Sequence, residues 1–149
     1  MASSSALAQE CSVRLKRPHP AQERFLRSPA PRKIIRAGRR GGKTTGMAIL
    51  AVEEFLKGKR VLYAVPTGDQ ITKLWFEITQ YLHEPIAAGI YHKNETLHTI
   101  ELPGTEQRIR AKTAWNSDTL RGDFCDLLII DEFQLCSEDA FGVVGLPML

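Results

Sequence analysis

Ala37-Gly38-Arg39-Arg40-Gly41-Gly42-Lys43-Thr44 has the spacing G-x-x-x-x-G-K-S/T, with alanine in place of the first glycine. Glycines let successive backbone N–H groups converge on one point. A helix beginning near Lys43 would turn its positive end to the same point, and the two together favour a polyphosphate anion. Lys43 would contact the β and γ phosphates, and the Thr44 hydroxyl would ligate Mg2+, a hard ion that prefers oxygen. Arg39 and Arg40 lie inside the loop, where a guanidinium can neutralise charge developing in phosphoryl transfer; outward-facing positive charge is the alternative reading. A second feature is the apolar run 126–132, which ends in Asp131 and Glu132. A parallel strand buried on both faces carries its last residues to the sheet edge where α/β proteins bind ligands, so these acids are expected to meet the loop. Asp131 would hold Mg2+, directly or through water, and Glu132 would orient or deprotonate the water attacking a γ-phosphate. The candidate nucleotide-binding set is thus Gly38, Arg40, Gly41, Gly42, Lys43, Thr44 and Thr45, with Asp131 and Glu132 facing it and ATP and Mg2+ as cofactors.

These residues need a scaffold, and the flanking pattern predicts one. Residues 33–37 are a short β-branched run leading into the glycines. Residues 43–57 follow at helical spacing, with Met47, Leu50, Ala51 and Phe55 apolar and Gly58 as the cap. Residues 60–65 form a continuous apolar run ended by Pro66-Thr67-Gly68, so the first unit reads as βαβ. Thr67 or Asp69 can cap a second helix reaching about His83, with Ile71, Leu74, Trp75, Ile78 and Leu82 on one face and Trp75 in the core. Residues 97–102 and 107–111 flank Pro103-Gly104-Thr105-Glu106 and read as a hairpin or surface excursion. Upstream, residues 21–27 read as a short helix closed by Ser28-Pro29-Ala30-Pro31. Residues 1–17 are expected to be a flexible tail.

Composition agrees with a single soluble α/β domain: 149 residues, 43% hydrophobic and 25% charged, which at this size buries a sufficient core without disulfides or a structural metal. Charge is uneven. Residues 1–60 carry fourteen Lys/Arg against four Asp/Glu, whereas 61–149 carry six against thirteen, and a basic half suits a polyphosphate ligand, nucleotide or nucleic acid. Cys11, Cys125 and Cys136 lack the spacing of a zinc site or redox pair and read as reduced thiols. His19, His83, His92 and His98 offer no i,i+4 ligand pair. With neither a leader pattern nor a membrane-spanning run, a cytoplasmic location and no membrane partner are expected.

Arg36 to Thr45 (R-A-G-R-R-G-G-K-T-T), the strand with Pro66-Thr67, Ser117-Asp118-Thr119-Leu120-Arg121-Gly122, Leu-Leu-Ile-Ile-Asp-Glu at 127–132 and Leu146-Pro147-Met148-Leu149 together resemble the large subunit of tailed-phage terminases, from about residue 18 onward. The resemblance implies an N-terminal ATPase of the additional-strand, RecA-like P-loop class, a three-layer sandwich on a mostly parallel sheet. It implies Lys43 and Thr44 as phosphate and Mg2+ residues, Asp131 as the Walker B carboxylate, Glu132 as the catalytic glutamate and Arg39 as a cis-acting arginine finger. It also implies Gln22 as the glutamine that reads adenine, since a planar amide can pair with an adenine edge. Its implied setting is the host-cell cytoplasm, with double-stranded viral DNA, a portal protein, a small subunit and a homo-oligomeric ring as partners. In the family, Pro-Met-Leu leads to a coupling strand beside the phosphate-loop strand and then to a nuclease domain; the chain stops before both, so the sheet is expected to be incomplete. Two further readings stay open: a superfamily 2-like helicase ATPase, against which Arg121-Gly122 and the residues after Glu132 argue, and a nucleotide-binding protein without turnover.

Overall fold

The computed structural model describes residues 11–38, 42–113 and 124–133. In chain order these form α1 (Pro20–Arg27), α2 (Lys43–Leu56), β1 (Arg60–Val65), α3 (Gly68–Tyr81), α4 (His83–Ala87), β2 (His92–Asn94), β3 (Thr99–Glu101), β4 (Arg108–Thr113) and β5 (Leu127–Ile130). One five-stranded sheet runs β2-β3-β4-β1-β5. Its centre is parallel: β1 pairs with β4 from Arg60↔Arg108 to Val65↔Thr113, and with β5 from Val61↔Leu127 to Ala64↔Ile130. β3 is antiparallel to both β4 and β2. This is the expected α/β class.

The apolar run of β1 is the middle of the core because both its faces are covered. Val61, Tyr63 and Val65 pack with Ile109, Ala111 and Ile129 into one cluster with α2 and α3, while Leu62 and Ala64, on the opposite face, are also buried. Helix α2 is apolar on most sides, and Ala48, Ala51, Val52 and Phe55 are wholly inaccessible. Helix α3 is amphipathic as its spacing predicts: Ile71, Leu74, Trp75 and Ile78 face inward and Phe76 outward. It ends at Tyr81, and α4 turns away through Leu82. Gly58 follows α2 at φ +89°, a left-handed position that stops the helix and lets its N–H donate to the Phe55 carbonyl.

One expectation changes and another gains a context. Residues 33–37 form no strand: Ile34 is 90% exposed, and Lys33 is drawn toward α1, where its Nζ donates to the Phe25 carbonyl (3.1 Å) and sits over the Phe25 ring. The run has only two adjacent apolar residues to bury, and its first lysine is held by α1, so among the described residues β5 ends the sheet and the unit begins as αβ rather than βαβ. Of the two readings given to residues 97–111, hairpin or surface excursion, the structure has the hairpin and builds it into the sheet. β3 and β4 do form the hairpin, but β4 inserts beside β1 as a parallel neighbour, and β2 adds an unforeseen strand beyond β3. Before α1, Val13 and Leu15 pack on the core, and the Ser12 N–H and hydroxyl both donate to Glu84 Oε2 at 3.0 Å. Among the described residues no helix is long and apolar enough to cross a membrane.

Candidate active site

The start of α2 and the end of β5 meet at the C-terminal edge of the sheet. Gly42 is the N-cap of α2, left-handed at φ 74° and ψ 20°, and makes no side-chain cap. A helix leaves its first N–H groups without intrahelical acceptors, so those of Lys43, Thr44 and Thr45 are available to an external anion. The first turn also carries no acidic side chain that would compete.

Gly42 is held by α1. Its carbonyl accepts from the Gly46 N–H (2.9 Å) and from Gln22 Nε2 (2.7 Å). A Cβ on Gly42 would lie 2.5 Å from that Nε2 and 3.3 Å from His19 Nε2, so the Gln22 amide would have to move aside, and the left-handed backbone itself favours glycine here. Gln22 is positioned in turn by a capping box: its N–H donates to His19 Nδ1 (3.3 Å), and its Oε1 accepts from the His19 N–H (3.0 Å). Arg27 then ties α1 to α2 through two bonds to Glu53, at 3.0 and 3.1 Å.

Across the edge, the Asp131 N–H donates to the Ala64 carbonyl (2.9 Å), extending the β5 ladder by one residue. The Asp131 carboxylate accepts from both sides: Oδ1 from the Glu132 N–H (2.9 Å), Oδ2 from the Tyr63 hydroxyl (3.3 Å). Burial, reinforced by the charge on Asp131, pushes the Tyr63 phenol far above its usual value, so it stays a protonated donor. Glu132 has φ +48°. A non-glycine residue there costs about 1–2 kcal/mol, and such strain concentrates at functional turns. The turn brings Glu132 Oε1 within 3.5 Å of Lys43 Nζ, each side chain being 31% exposed. At that distance and exposure the pair adds little stability; its information is that the loop lysine and the second acid share one space.

The donors available to a cation are the Thr44 hydroxyl and the Asp131 carboxylate, all oxygen. That set fits Mg2+, which takes one or two protein oxygens and keeps water or phosphate in its other positions. Thr45 points elsewhere: its hydroxyl donates to Glu77 Oε1 on α3 (3.1 Å), and the buried Glu77 Oε2 has no partner among the described residues. Gly38 is exposed before the loop. Arg39, Arg40, Gly41, the 117–122 motif and residues 146–149 lie outside the described residues. Sequence reasoning passed over His19, Tyr63 and Glu77. A tyrosine in an otherwise aliphatic buried strand, and an acid three residues after Leu74 beside the buried face of α3, were the available signals.

Comparison with known proteins bears on the fold. No family model matches the chain, and no curated protein matches it. Among solved structures, the large terminase ATPase domain of Thermus phage P74-26 matches with a TM-score of 0.77 at 22% identity, over 89% of this chain and 60% of that one. The chain therefore has the fold of that ATPase domain and spans about three-fifths of its length.

Proposed function

We propose that the chain binds ATP with Mg2+ and hydrolyses it as the motor portion of a viral DNA-packaging terminase large subunit. The observation that carries this reading is the uncapped, glycine-started turn of α2 facing two consecutive acids, with Lys43 and Glu132 3.5 Å apart. Lys43 and the first N–H groups of α2 bind the β and γ phosphates. Thr44 and Asp131 hold Mg2+, which when bound offsets charge on the phosphate oxygens. Glu132 accepts a proton from the attacking water as its oxygen bonds to the γ-phosphorus and the bond to the β–γ bridging oxygen breaks, releasing ADP and phosphate. Arg39, within the loop, neutralises charge on the transferred group. Gln22 already gives one N–H to Gly42 and one acceptor site to His19, which leaves one donor and one acceptor for an adenine edge.

The fold likeness supports the packaging role, in which hydrolysis drives duplex DNA into a procapsid in the host cytoplasm. Portal, small subunit and a ring of identical subunits would be the partners. Contact with DNA through Lys and Arg to phosphates would be insensitive to sequence and steeply salt-dependent. Calorimetry with MgATP and turnover of the wild type, Lys43→Ala and Glu132→Ala test the site. Expected are loss of binding in Lys43→Ala, and retained binding with turnover reduced about 100-fold or more in Glu132→Ala. Binding without wild-type turnover, alone or with portal-bearing procapsids, would reduce the reading to a nucleotide-binding protein.

A further inference from the structure

The hydroxyl of Tyr63 has no role in the site as read from sequence, and its position is costly unless it has one. Tyr63 is 0% exposed on the interior strand β1, among Val61, Leu62, Ala64 and Val65. Phenylalanine would fill the same space, whereas a buried hydroxyl must be hydrogen-bonded to be tolerated. Its acceptor is Oδ2 of Asp131, 68 residues away. β1 is paired on both sides, so the hydroxyl is a fixed point in the sheet, while Asp131 lies just beyond the last residue of β5. The backbone bond from Asp131 to Ala64 fixes where the residue starts; the Glu132 N–H on Oδ1 and the Tyr63 hydroxyl on Oδ2 fix how its carboxylate is turned. The 3.3 Å separation exceeds the usual 2.5–3.0 Å of a hydroxyl–oxygen bond. Such bonds commonly tighten when ligand is bound.

We propose that Tyr63 is a positioning residue that orients the Asp131 carboxylate toward Mg2+ and so sets the magnesium dependence of nucleotide binding, an inference that rests on the magnesium role assigned to Asp131 above. Partners of metal-binding carboxylates commonly change metal affinity by about 10–100-fold when removed. The test is binding of a non-hydrolysable ATP analogue, titrated with Mg2+ and repeated in EDTA, for the wild type, Tyr63→Phe, Asp131→Asn and the double variant, with thermal unfolding of each. Tyr63→Phe should raise the Mg2+ midpoint about 10-fold or more, leave binding in EDTA within about twofold, and lower turnover at limiting Mg2+ far more than at saturation. In the Asp131→Asn background it should shift the midpoint no further, because its action runs through that carboxylate. A Tyr63→Phe midpoint within about twofold of wild type, with Asp131→Asn strongly shifted, overturns the role of Tyr63 alone. An equal loss of binding with and without Mg2+, or a full additional effect in the double variant, marks a merely structural tyrosine and also overturns it. An unshifted midpoint in Asp131→Asn overturns the reading of the site itself, and this inference with it.

Discussion

Replacing Gly42 by alanine tests the joint between α1 and the phosphate loop. Two costs are readable from the geometry. At φ 74° an alanine sits in the left-handed region, at about 1–2 kcal/mol. Its methyl would also lie 2.5 Å from Gln22 Nε2, nearer than the atoms can approach, so the amide must leave the Gly42 carbonyl and forfeit a bond worth about 0.5–1.5 kcal/mol. Together these give about 1.5–3.5 kcal/mol, which shifts the urea unfolding midpoint at unchanged slope. The two costs separate in a double-mutant cycle. Gln22→Ala removes both the bond and the obstructing amide, so Gly42→Ala on that background should cost about 1 kcal/mol less than on the wild type. Nucleotide affinity should fall in Gly42→Ala and recover only in part in the double variant, because the left-handed strain at the head of α2 remains. Gly42→Ala within 0.5 kcal/mol of wild type, or strict additivity with Gln22→Ala, would refute the claim that α1 clamps the loop through this amide.

Thr45→Val should lower stability by about 1–3 kcal/mol, because it removes the donor to Glu77 Oε1 from a carboxylate whose other oxygen has no partner among the described residues; an unchanged unfolding midpoint would show that Glu77 finds another donor. Arg60 donates to Asp126 from its backbone and guanidinium and holds that carboxyl below the ordinary range. A carboxyl depressed in the folded state stabilises above its unfolded pKa, near 3.9, and that contribution fades as pH falls through the lower folded value. The stability gap between wild type and Asp126→Asn should therefore be flat above about pH 5 and begin to narrow below about pH 4; a gap that stays constant as the pH falls below about 4 would contradict it. If DNA stimulates turnover, the stimulation should fall steeply between about 50 and 200 mM salt and be equal for unrelated duplexes of one length.

Features that depend on neighbours in the chain were legible beforehand. The helix that starts at Lys43, the aliphatic run of β1, the inward face of α3 and the strand that leads into the two acids all follow from local periodicity and end signals, and the structure repeats them within a residue or two. Residues 33–37 show the limit of that logic. A β-branched run becomes a strand only if a ladder partner and a surface to cover are within reach, and here Lys33 is captured by α1 and Ile34 stays in solvent. The insertion of β4 beside β1 is a choice among pairings that one strand's pattern cannot rank. The contacts that shape the site are decided in the same way. Gln22 reaches Gly42 across 20 residues, Thr45 reaches Glu77 across 32, Tyr63 reaches Asp131 across 68 and Lys43 reaches Glu132 across 89. The candidates for meeting a polyphosphate could be named from short spacings alone, because that chemistry is local. What holds them in place emerges with the fold, because hydrogen bonds between distant side chains exist only once the sheet has brought them together.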